Sequence, residues 1–261
     1  MSGATRIKPR FLTLTSVHTF RSISIVIYIL RYTLVALYTF LWGSLGIVLF
    51  VFDRSGRAAP WVVSNWTSWI LRGCSVKVIA EGVEAARAAE PCVIMSNHQS
   101  VFDIAALATT LPVQWKFVAK RELIWIPFFG WALGMADQII IDRRDTERSV
   151  ASLARAAKRV RAGANVIIFP EGTRSAGAEI GPFKSGGFLL AIQAGVPILP
   201  VSISGSRRIT PRNSLRIESG EIFMRYGKPI ATAGLTADDR EELKQRVREA
   251  IEAGLDPARQ G

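Results

Sequence analysis

An uncharged stretch of 21 residues, Tyr32–Phe52, most constrains how this chain folds. As an α-helix it would be about 31 Å long, enough to cross the roughly 30 Å hydrocarbon core of a bilayer. Between Ser22 and Phe52 the only charged residue is Arg31, and the leader before Ser22 is basic without any acid. Such a run is longer than a typical buried helix of a soluble domain. We therefore predict a membrane-anchoring segment over residues 1–72, with an apolar helix over about residues 22–52.

A second apolar segment follows a turn at residues 53–57 and contains three tryptophans. Tryptophan prefers the membrane–water boundary, so residues of about 59–72 are predicted to form a helix in that boundary. Basic residues flank the apolar run on both sides, and two topologies stay open: a single crossing, or a helical hairpin dipped into one leaflet. We favour the dip, in which Arg31 and Arg21 reach out to lipid head groups.

From residue 73 to residue 261 the pattern changes to strands that alternate with helices. This alternation predicts an α/β domain with a mixed, largely parallel sheet flanked by helices. The predicted strands are Cys74–Glu81, Cys92–Met95, Trp115–Ala119, Gln138–Ile141, Asn165–Phe169 and Ile198–Ser204, with a hairpin over Leu215–Tyr226. The predicted helices are Val101–Thr110, Asp145–Ala162, Gly186–Gln193 and Thr236–Ala253, with short helical pieces over Leu123–Leu133.

The charge balance indicates an anionic partner. The chain has 33 Lys and Arg against 21 Asp and Glu, a net charge of +12, while 49% of its residues are hydrophobic. A nucleic-acid binder would explain the charge, but no recognised nucleic-acid motif is present and the apolar N-terminus fits that class poorly. Anionic membrane lipids fit both properties. The two cysteines, Cys74 and Cys92, lack the spacing of a metal site or a disulfide framework, and we predict buried thiols and no metal.

His98 and Asp103 are the first candidates for chemistry. They follow the apolar run Cys92–Met95, where the backbone leaves a predicted strand, and ligands of open α/β sheets bind at such strand ends. A histidine titrates near neutral pH and suits a general base, and a carboxylate on the first turn of the following helix can reach back to orient it. The alternative is structural: a buried histidine, with Ser100 and Asp103 forming the capping box of the next helix.

Two further strand ends carry cations. The segment Phe169–Ser175 contains Gly172, which allows close backbone approach to a ligand, and Arg174, whose fork suits phosphate. Lys120 follows the Trp115–Ala119 strand. Each segment alone is also compatible with an ordinary polar turn.

Together and in this order, the segments resemble the 1-acylglycerol-3-phosphate acyltransferase family of the bacterial PlsC type. The resemblance covers roughly residues 74–229. Its first motif is met by Asn97, His98 and Asp103, and its third without departure by Phe169–Ser175. The second motif is met by Lys120, Glu122, Leu123, Pro127, Phe128, Gly130, Asp142 and Arg143, and the fourth by Val196–Val201.

The resemblance implies transfer of an acyl group from acyl-CoA or acyl carrier protein to the sn-2 hydroxyl of lysophosphatidic acid, giving phosphatidic acid for phospholipid biosynthesis. His98 would be the general base, Asp103 would orient it, and no acyl-enzyme, metal or further cofactor would be needed. Lys120 and Arg174 would hold the acceptor phosphate. The predicted substrate-binding set is completed by Asn97, Glu171, Gly172 and Thr173.

The carriers are cytosolic, so the resemblance also implies an inner-membrane protein whose catalytic domain faces the cytoplasm. Two alternatives remain. One is a related acyltransferase with another acceptor, such as lyso-ornithine lipid. The other is a membrane-binding module that kept the fold without catalysis, against which the intact pair of His98 and Asp103 argues.

Overall fold

The computed structural model describes residues 14–53, 57–136, 138–141, 146–177 and 179–259. The side chains of residues 14–23, 120, 141, 146–151 and 153 are not part of that description. Four predicted features lie outside it: the head-group contact of Arg21, the phosphate contact of Lys120, and the motif residues Asp142 and Arg143.

Two helices precede the sheet. Helix α1 is Leu14–Phe52, and its stretch Ser24–Phe52 has a mean hydropathy of 2.2, long and apolar enough to cross a membrane. Helix α2 is Ala58–Gly73. Both agree with the predicted apolar and Trp-rich helices, although the division of the chain at residue 72 stays a prediction. Most apolar side chains of α1 are exposed, which fits a helix whose outer face contacts lipid.

Helix α1 is attached to the loop before the strand Gly220–Tyr226 through Tyr28 and Arg31, about four turns after its first residue. The Tyr28 hydroxyl donates a hydrogen bond to the Glu218 carboxylate, and the Arg31 guanidinium donates to the backbone oxygen of Ile217. The head-group contact predicted for Arg31 is therefore wrong in this structure. The carbonyl of an irregular loop needs a donor, and the only charged side chain between Ser22 and Phe52 supplies it.

Seven strands form one sheet in the order β1-β7-β6-β2-β5-β3-β4. Their bounds are β1 Val76–Glu81, β2 Val93–Ser96, β3 Trp115–Lys120, β4 Ile139–Ile141, β5 Asn165–Ile168, β6 Ile198–Ser204 and β7 Gly220–Tyr226. All pairings are parallel except that of β6 with β7. The predicted mixed, largely parallel sheet flanked by helices is confirmed.

The remaining helices connect or flank these strands. They are α3 Glu84–Ala88, α4 Phe102–Thr110, α5 Phe129–Met135, α6 Thr146–Arg161, α7 Gly186–Ala194, α8 Ser206–Ile209 and α9 Arg240–Ala253. Short 3₁₀ turns span Arg121–Trp125, Ala237–Asp239 and Pro257–Arg259. The predicted cap at Thr236 is present, with Asp239 closing a capping box through a 2.7 Å bond from the Thr236 N–H. These hydrogen bonds from Thr236 hold the pKa of Asp239 below its ordinary value.

Side chains that alternate along the central strands feed two separate cores. On β2, Ile94 packs on one face of the sheet with α2 and α4. Val93 and Met95 pack on the other face with α6, α7 and α9. Because both faces are covered, the central strands appear in the sequence as short continuous apolar runs. The same packing joins α2 to α4, the helix that begins beside the candidate site.

The hairpin predicted over Leu215–Tyr226 is wrong. Only β7 forms, and it pairs antiparallel with β6 and parallel with β1, which lies far away in the sequence. The alternation before Gly220 has another cause: Ile217 is buried in the core while Leu215 is exposed. The segment is tied down by the Glu218 N–H, which donates to the Ile209 carbonyl at 2.8 Å, and by α1.

Candidate active site

The candidate residues meet at one edge of the sheet. Strands β2 and β5 are parallel neighbours, with Met95 opposite Ile168, so the loops that follow them leave the sheet side by side. The first loop carries His98 and the second carries Glu171 to Arg174. Strand β3 pairs parallel with β5 and brings the backbone of Lys120 to the same edge. Its side chain is outside the description, so phosphate contact by Lys120 stays a prediction.

His98 and Asp103 are in direct contact. Nδ1 of the imidazole lies 2.9 Å from Oδ2 of Asp103, which is fully buried, while 14% of the His98 side chain is exposed. The same oxygen accepts the N–H groups of Gln99 and Ser100, at 2.7 and 2.8 Å. Asp103 therefore holds the imidazole in place and accepts backbone N–H groups of the turn that leads into α4. Only half of the predicted capping box forms, because the Asp103 N–H donates to the Ser100 carbonyl at 3.2 Å and the Ser100 hydroxyl donates elsewhere.

The ring of Phe169 lies against one face of the His98 imidazole and fixes the plane of that ring. It stacks on His98 with a centroid distance of 4.0 Å and an interplanar angle of 15°. With Nδ1–H donated to Asp103, the neutral ring keeps its lone pair on Nε2. Contacts on one face and at one nitrogen leave the other nitrogen as the reactive position of a general base.

Glu171 joins the two loops. Its Oε1 accepts the His98 N–H at 2.8 Å, and its Oε2 accepts the Gly181 N–H at 2.8 Å and the Ser175 hydroxyl. The Ser175 N–H donates to the His98 carbonyl at 2.7 Å, completing a reciprocal link. The carboxylate is buried and both oxygens are used, so the geometry gives Glu171 a bracing task in place of the predicted substrate contact.

Asn97 has a similar task. It is fully buried, its amide nitrogen donates to the Ile203 carbonyl, and its amide oxygen accepts the Ile203 N–H, each at 2.8 Å. The side chain thus joins the end of β2 to β6 beyond the last backbone pair of these strands. The geometry leaves no amide group of Asn97 free for the substrate contact predicted from the sequence.

Arg174 and Thr173 lie on the solvent side of the loop that the Glu171 carboxylate holds in place. Thr173 is exposed and Arg174 half-buried, and among the described residues the Arg174 guanidinium has no hydrogen-bond or ion-pair partner. Gly172 adopts φ +74°, a conformation that strains other residues. The Arg174 carbonyl accepts Arg212 Nη1 at 2.9 Å, which holds the loop from outside. This arrangement is compatible with the predicted phosphate site.

Sequence reasoning missed a second cation, Lys184. A β-carbon at Gly172 would lie 3.0 Å from Cε and 3.2 Å from Nζ of this lysine, so its side chain passes directly over the glycine. The Lys184 N–H donates to the Pro170 carbonyl at 2.8 Å, and within the described part of the chain its ammonium forms no ion pair. The one sequence feature that could have indicated Lys184 is its position just before Gly186 and Gly187, where α7 begins.

The cysteines do not enter this site. Cys74 and Cys92 are free and buried. Burial raises the pKa of both thiols, that of Cys92 to about 12, and a protonated thiol is a poor nucleophile. Among the described residues no group of three or more His, Cys, Asp or Glu side chains is placed to hold a metal ion.

The hydroxyl of Ser100, two residues after His98, is engaged in a structural contact, because it donates a hydrogen bond to the Thr210 carbonyl at 3.1 Å.

The His–Asp pair at the carboxyl edge of a largely parallel sheet agrees with the acyltransferase motifs that the sequence carries. The family described as Acyltransferase matches residues 77–204. The 1-acyl-sn-glycerol-3-phosphate acyltransferase of Pseudomonas aeruginosa is 34% identical over 224 residues, 84% of this chain and 86% of that protein. The chain therefore belongs to the 1-acyl-sn-glycerol-3-phosphate acyltransferase family.

Other relatives carry the same description. The chloroplastic protein of Brassica napus is 36% identical over 205 residues, and the human alpha protein 36% over 177 residues. The matches cover 77% and 67% of this chain, but only 58% and 62% of those proteins, about three fifths of their length. A crystal structure of the LPA acyltransferase PlsC from Thermotoga maritima has a TM-score of 0.76 and 24% identity, covering 89% of this chain and 95% of that one. At 24% sequence identity, this structural similarity shows that the two chains share a fold.

Replacing Asn97 by alanine should destabilise the protein without weakening substrate affinity in the protein that remains folded. The change leaves two buried backbone groups of Ile203 unpaired, which should lower the free energy of unfolding by about 2–4 kcal/mol. Urea denaturation measures this. Asn65→Ala, which removes an exposed amide bonded within α2, is the control and should change it by less than about 0.5 kcal/mol. Unchanged stability with a raised KM for lipid would instead place Asn97 in contact with substrate.

Proposed function

We propose that this protein transfers an acyl group from acyl-CoA or acyl carrier protein to the sn-2 hydroxyl of 1-acyl-sn-glycerol-3-phosphate. The observation that carries the proposal is the 2.9 Å contact of His98 with the buried Asp103, at the sheet edge that also presents Arg174, whose guanidinium has no partner among the described residues. The names of the relatives support the acceptor.

The proposed reaction needs one base and no protein nucleophile. Nε2 of His98 takes the proton of the sn-2 hydroxyl while its oxygen attacks the thioester carbonyl carbon. Asp103 stabilises the imidazolium that forms, as the carboxylate does in serine hydrolases. The tetrahedral intermediate then expels the carrier thiolate, the C–S bond breaks, and the proton on His98 passes to that sulfur. The products are phosphatidic acid and a free carrier thiol, and the imidazole returns to its neutral form.

The acceptor phosphate would be bound by the loop after β5. Arg174 supplies a bidentate fork and Lys184 a point charge over Gly172, and the neighbouring Glu171 is turned inward. Lys120 would add a third cation from β3. Within the described residues neither Arg174 nor Lys184 has an ion-pair partner, and such cations favour an anionic phosphate head group over the zwitterionic head of lyso-ornithine lipid.

The membrane anchor would be a dip into one leaflet. The contacts of Tyr28 with Glu218 and of Gly43 with Phe128 fix α1 beside the α/β domain over a length of about 22 Å. Residues 44–52 extend beyond Gly43 by about 14 Å and residues 14–27 extend before Tyr28 by about 21 Å, so neither end alone matches the roughly 30 Å of a hydrocarbon core. A helix held in this way does not cross unless the domain enters the bilayer with it. Because the carriers are soluble, we place the domain on the cytoplasmic face of the inner membrane.

Removing the imidazole should abolish most acyl transfer. We expect His98→Ala to lower kcat by about 10²–10⁴-fold or more, since general-base catalysis contributes that much. Purified protein is assayed in mixed micelles with lysophosphatidic acid and with lyso-ornithine lipid, each paired with acyl-CoA and with acyl carrier protein. His18→Ala removes the chain's other histidine and is the matched control. Unchanged transfer by His98→Ala would exclude this site, and wild-type transfer to the ornithine lipid alone would exclude the proposed acceptor.

Neutralising the phosphate cations should affect the acceptor more than the donor. We expect Arg174→Gln to raise the KM for lysophosphatidic acid about tenfold or more and Lys184→Gln by a smaller factor, because a bidentate pair is stronger than a point charge. The KM for either donor should stay within about twofold. Lys228→Gln removes an exposed lysine beyond the end of β7 and controls for net charge. An equal rise in the donor KM would reassign both cations to the carrier.

Both ends of the chain should lie on one side of the membrane. In vesicles prepared with the cytoplasmic face outward, protease should remove epitope tags from the N-terminus and the C-terminus alike, because α2 brings the chain back to the face at which α1 enters. Detergent-opened vesicles supply the control for cleavage of both tags. An N-terminal tag that survives until detergent is added would establish a full crossing by residues 32–52.

A further inference from the structure

A second apolar surface lies outside the two N-terminal helices. Residues 123–136 contain no charged side chain, and they form the end of the Arg121–Trp125 turn and helix α5. Four large side chains here are exposed by 78% (Trp125), 45% (Ile126), 53% (Trp131) and 41% (Met135). We call residues 123–135 the aromatic wedge. Sequence reasoning assigned it short helical pieces and no task beyond its motif residues.

The wedge has a fixed shape. Gly130 is buried in its tight turn, where a β-carbon would lie 2.3 Å from the Ile124 carbonyl oxygen, so only glycine fits. Phe128 adopts φ +60°, which costs an aromatic residue of the order of 1–3 kcal/mol. Its Cβ packs 3.1 Å from the β-carbon position of Gly43 on α1, and this close contact holds it there. The exposed aromatic rings are thus presented by a tightly packed turn.

The exposed face of the wedge continues the exposed face of α1. Phe40 of α1 is exposed and packs edge-to-face on Phe128 at 4.8 Å, and Phe128 in turn contacts Trp131 at 5.2 Å. Phe129 contacts Trp66 of α2 at 5.5 Å. One continuous aromatic surface therefore runs from the candidate membrane helix to the wedge. A lipid monolayer is the occupant that fits, because tryptophan prefers the membrane boundary and the adjoining helix is long and apolar enough for it.

The wedge also borders the candidate active site. It begins where β3 ends, and β3 pairs parallel with β5, so it leaves the sheet from the same edge as His98 and Arg174. We propose that the aromatic wedge is a second lipid-contacting surface, at which the lyso-lipid acceptor passes from the monolayer to His98. This rests on the proposed function. The N-terminal helices hold the protein at the membrane, while the wedge acts on the transfer of the acceptor out of the lipid.

The test separates lipid-embedded from dissolved acceptor. The full chain carrying Trp125→Ser and Trp131→Ser is compared with the wild type on long-chain lysophosphatidic acid in anionic phospholipid vesicles, and on a short-chain analogue below its critical micelle concentration. We expect kcat/KM to fall about tenfold on the vesicle substrate, since two interfacial aromatic side chains are lost, and to stay within about twofold on the dissolved one. Trp125→Phe with Trp131→Phe is the matched control and should retain most vesicle activity.

A second readout does not depend on catalysis. In vesicles that contain a spin-labelled phospholipid, the fraction of tryptophan fluorescence quenched should be smaller for the double Phe variant than for the wild type, because two lipid-contacting fluorophores are removed. An equal or larger quenched fraction would overturn the proposal, as would an equal loss of activity on both acceptors or no loss on either. Absence of wild-type transfer to both acceptors would refute the proposed function, and the quenching would still decide whether the wedge contacts lipid.

Discussion

The geometry of the candidate site depends on the hydrogen bonds of the buried Glu171 carboxylate. The carboxylate receives the His98 N–H from one loop and the Gly181 N–H and Ser175 hydroxyl from another, so it fixes the distance between the candidate base and the candidate phosphate loop. A buried carboxylate is costly unless hydrogen bonds compensate its lost hydration, and here three donors do so. The same bonds satisfy backbone N–H groups of loops that have no regular partner.

Two further motif residues, Asn97 and Asp103, also use their buried side chains to bind backbone groups. The Asn97 amide bonds both backbone groups of Ile203, and one Asp103 oxygen accepts two backbone N–H groups besides the imidazole. Three polar motif residues are thus buried and engaged mainly with backbone. The His98 ring and the Arg174 side chain remain partly exposed at the sheet edge. Most polar residues of the first and third motifs therefore shape the loops, and few are left to meet a substrate.

The sequence predicted what depends on local pattern and missed what depends on distant contacts. Because both faces of the central strands are covered, residues such as Val93 and Ile94 form short apolar runs that predict the strands from the sequence. His98 could therefore be placed at the end of a strand. The partner of β7 is β1, about 140 residues earlier, and no local pattern encodes that pairing. For the same reason the Arg31 bond to Ile217, the Asn97 bridge to Ile203 and the position of Lys184 over Gly172 were beyond local reasoning.

Under the proposed function the acceptor comes from the membrane and the donor from solution, so the enzyme would need to hold His98 at a fixed height above the lipid. The packing of the N-terminal helices on the α/β domain would set that height. Helix α2 packs on α4 in the core that also contains Phe102, next to Asp103, and α1 packs on α5. A shift of the anchor would therefore have to move the helix that orients the His98 imidazole. Close-packed interiors resist such movement, so anchor and base behave as one body. Under the proposed function, the depth at which the sn-2 hydroxyl meets His98 would then follow from the fold itself.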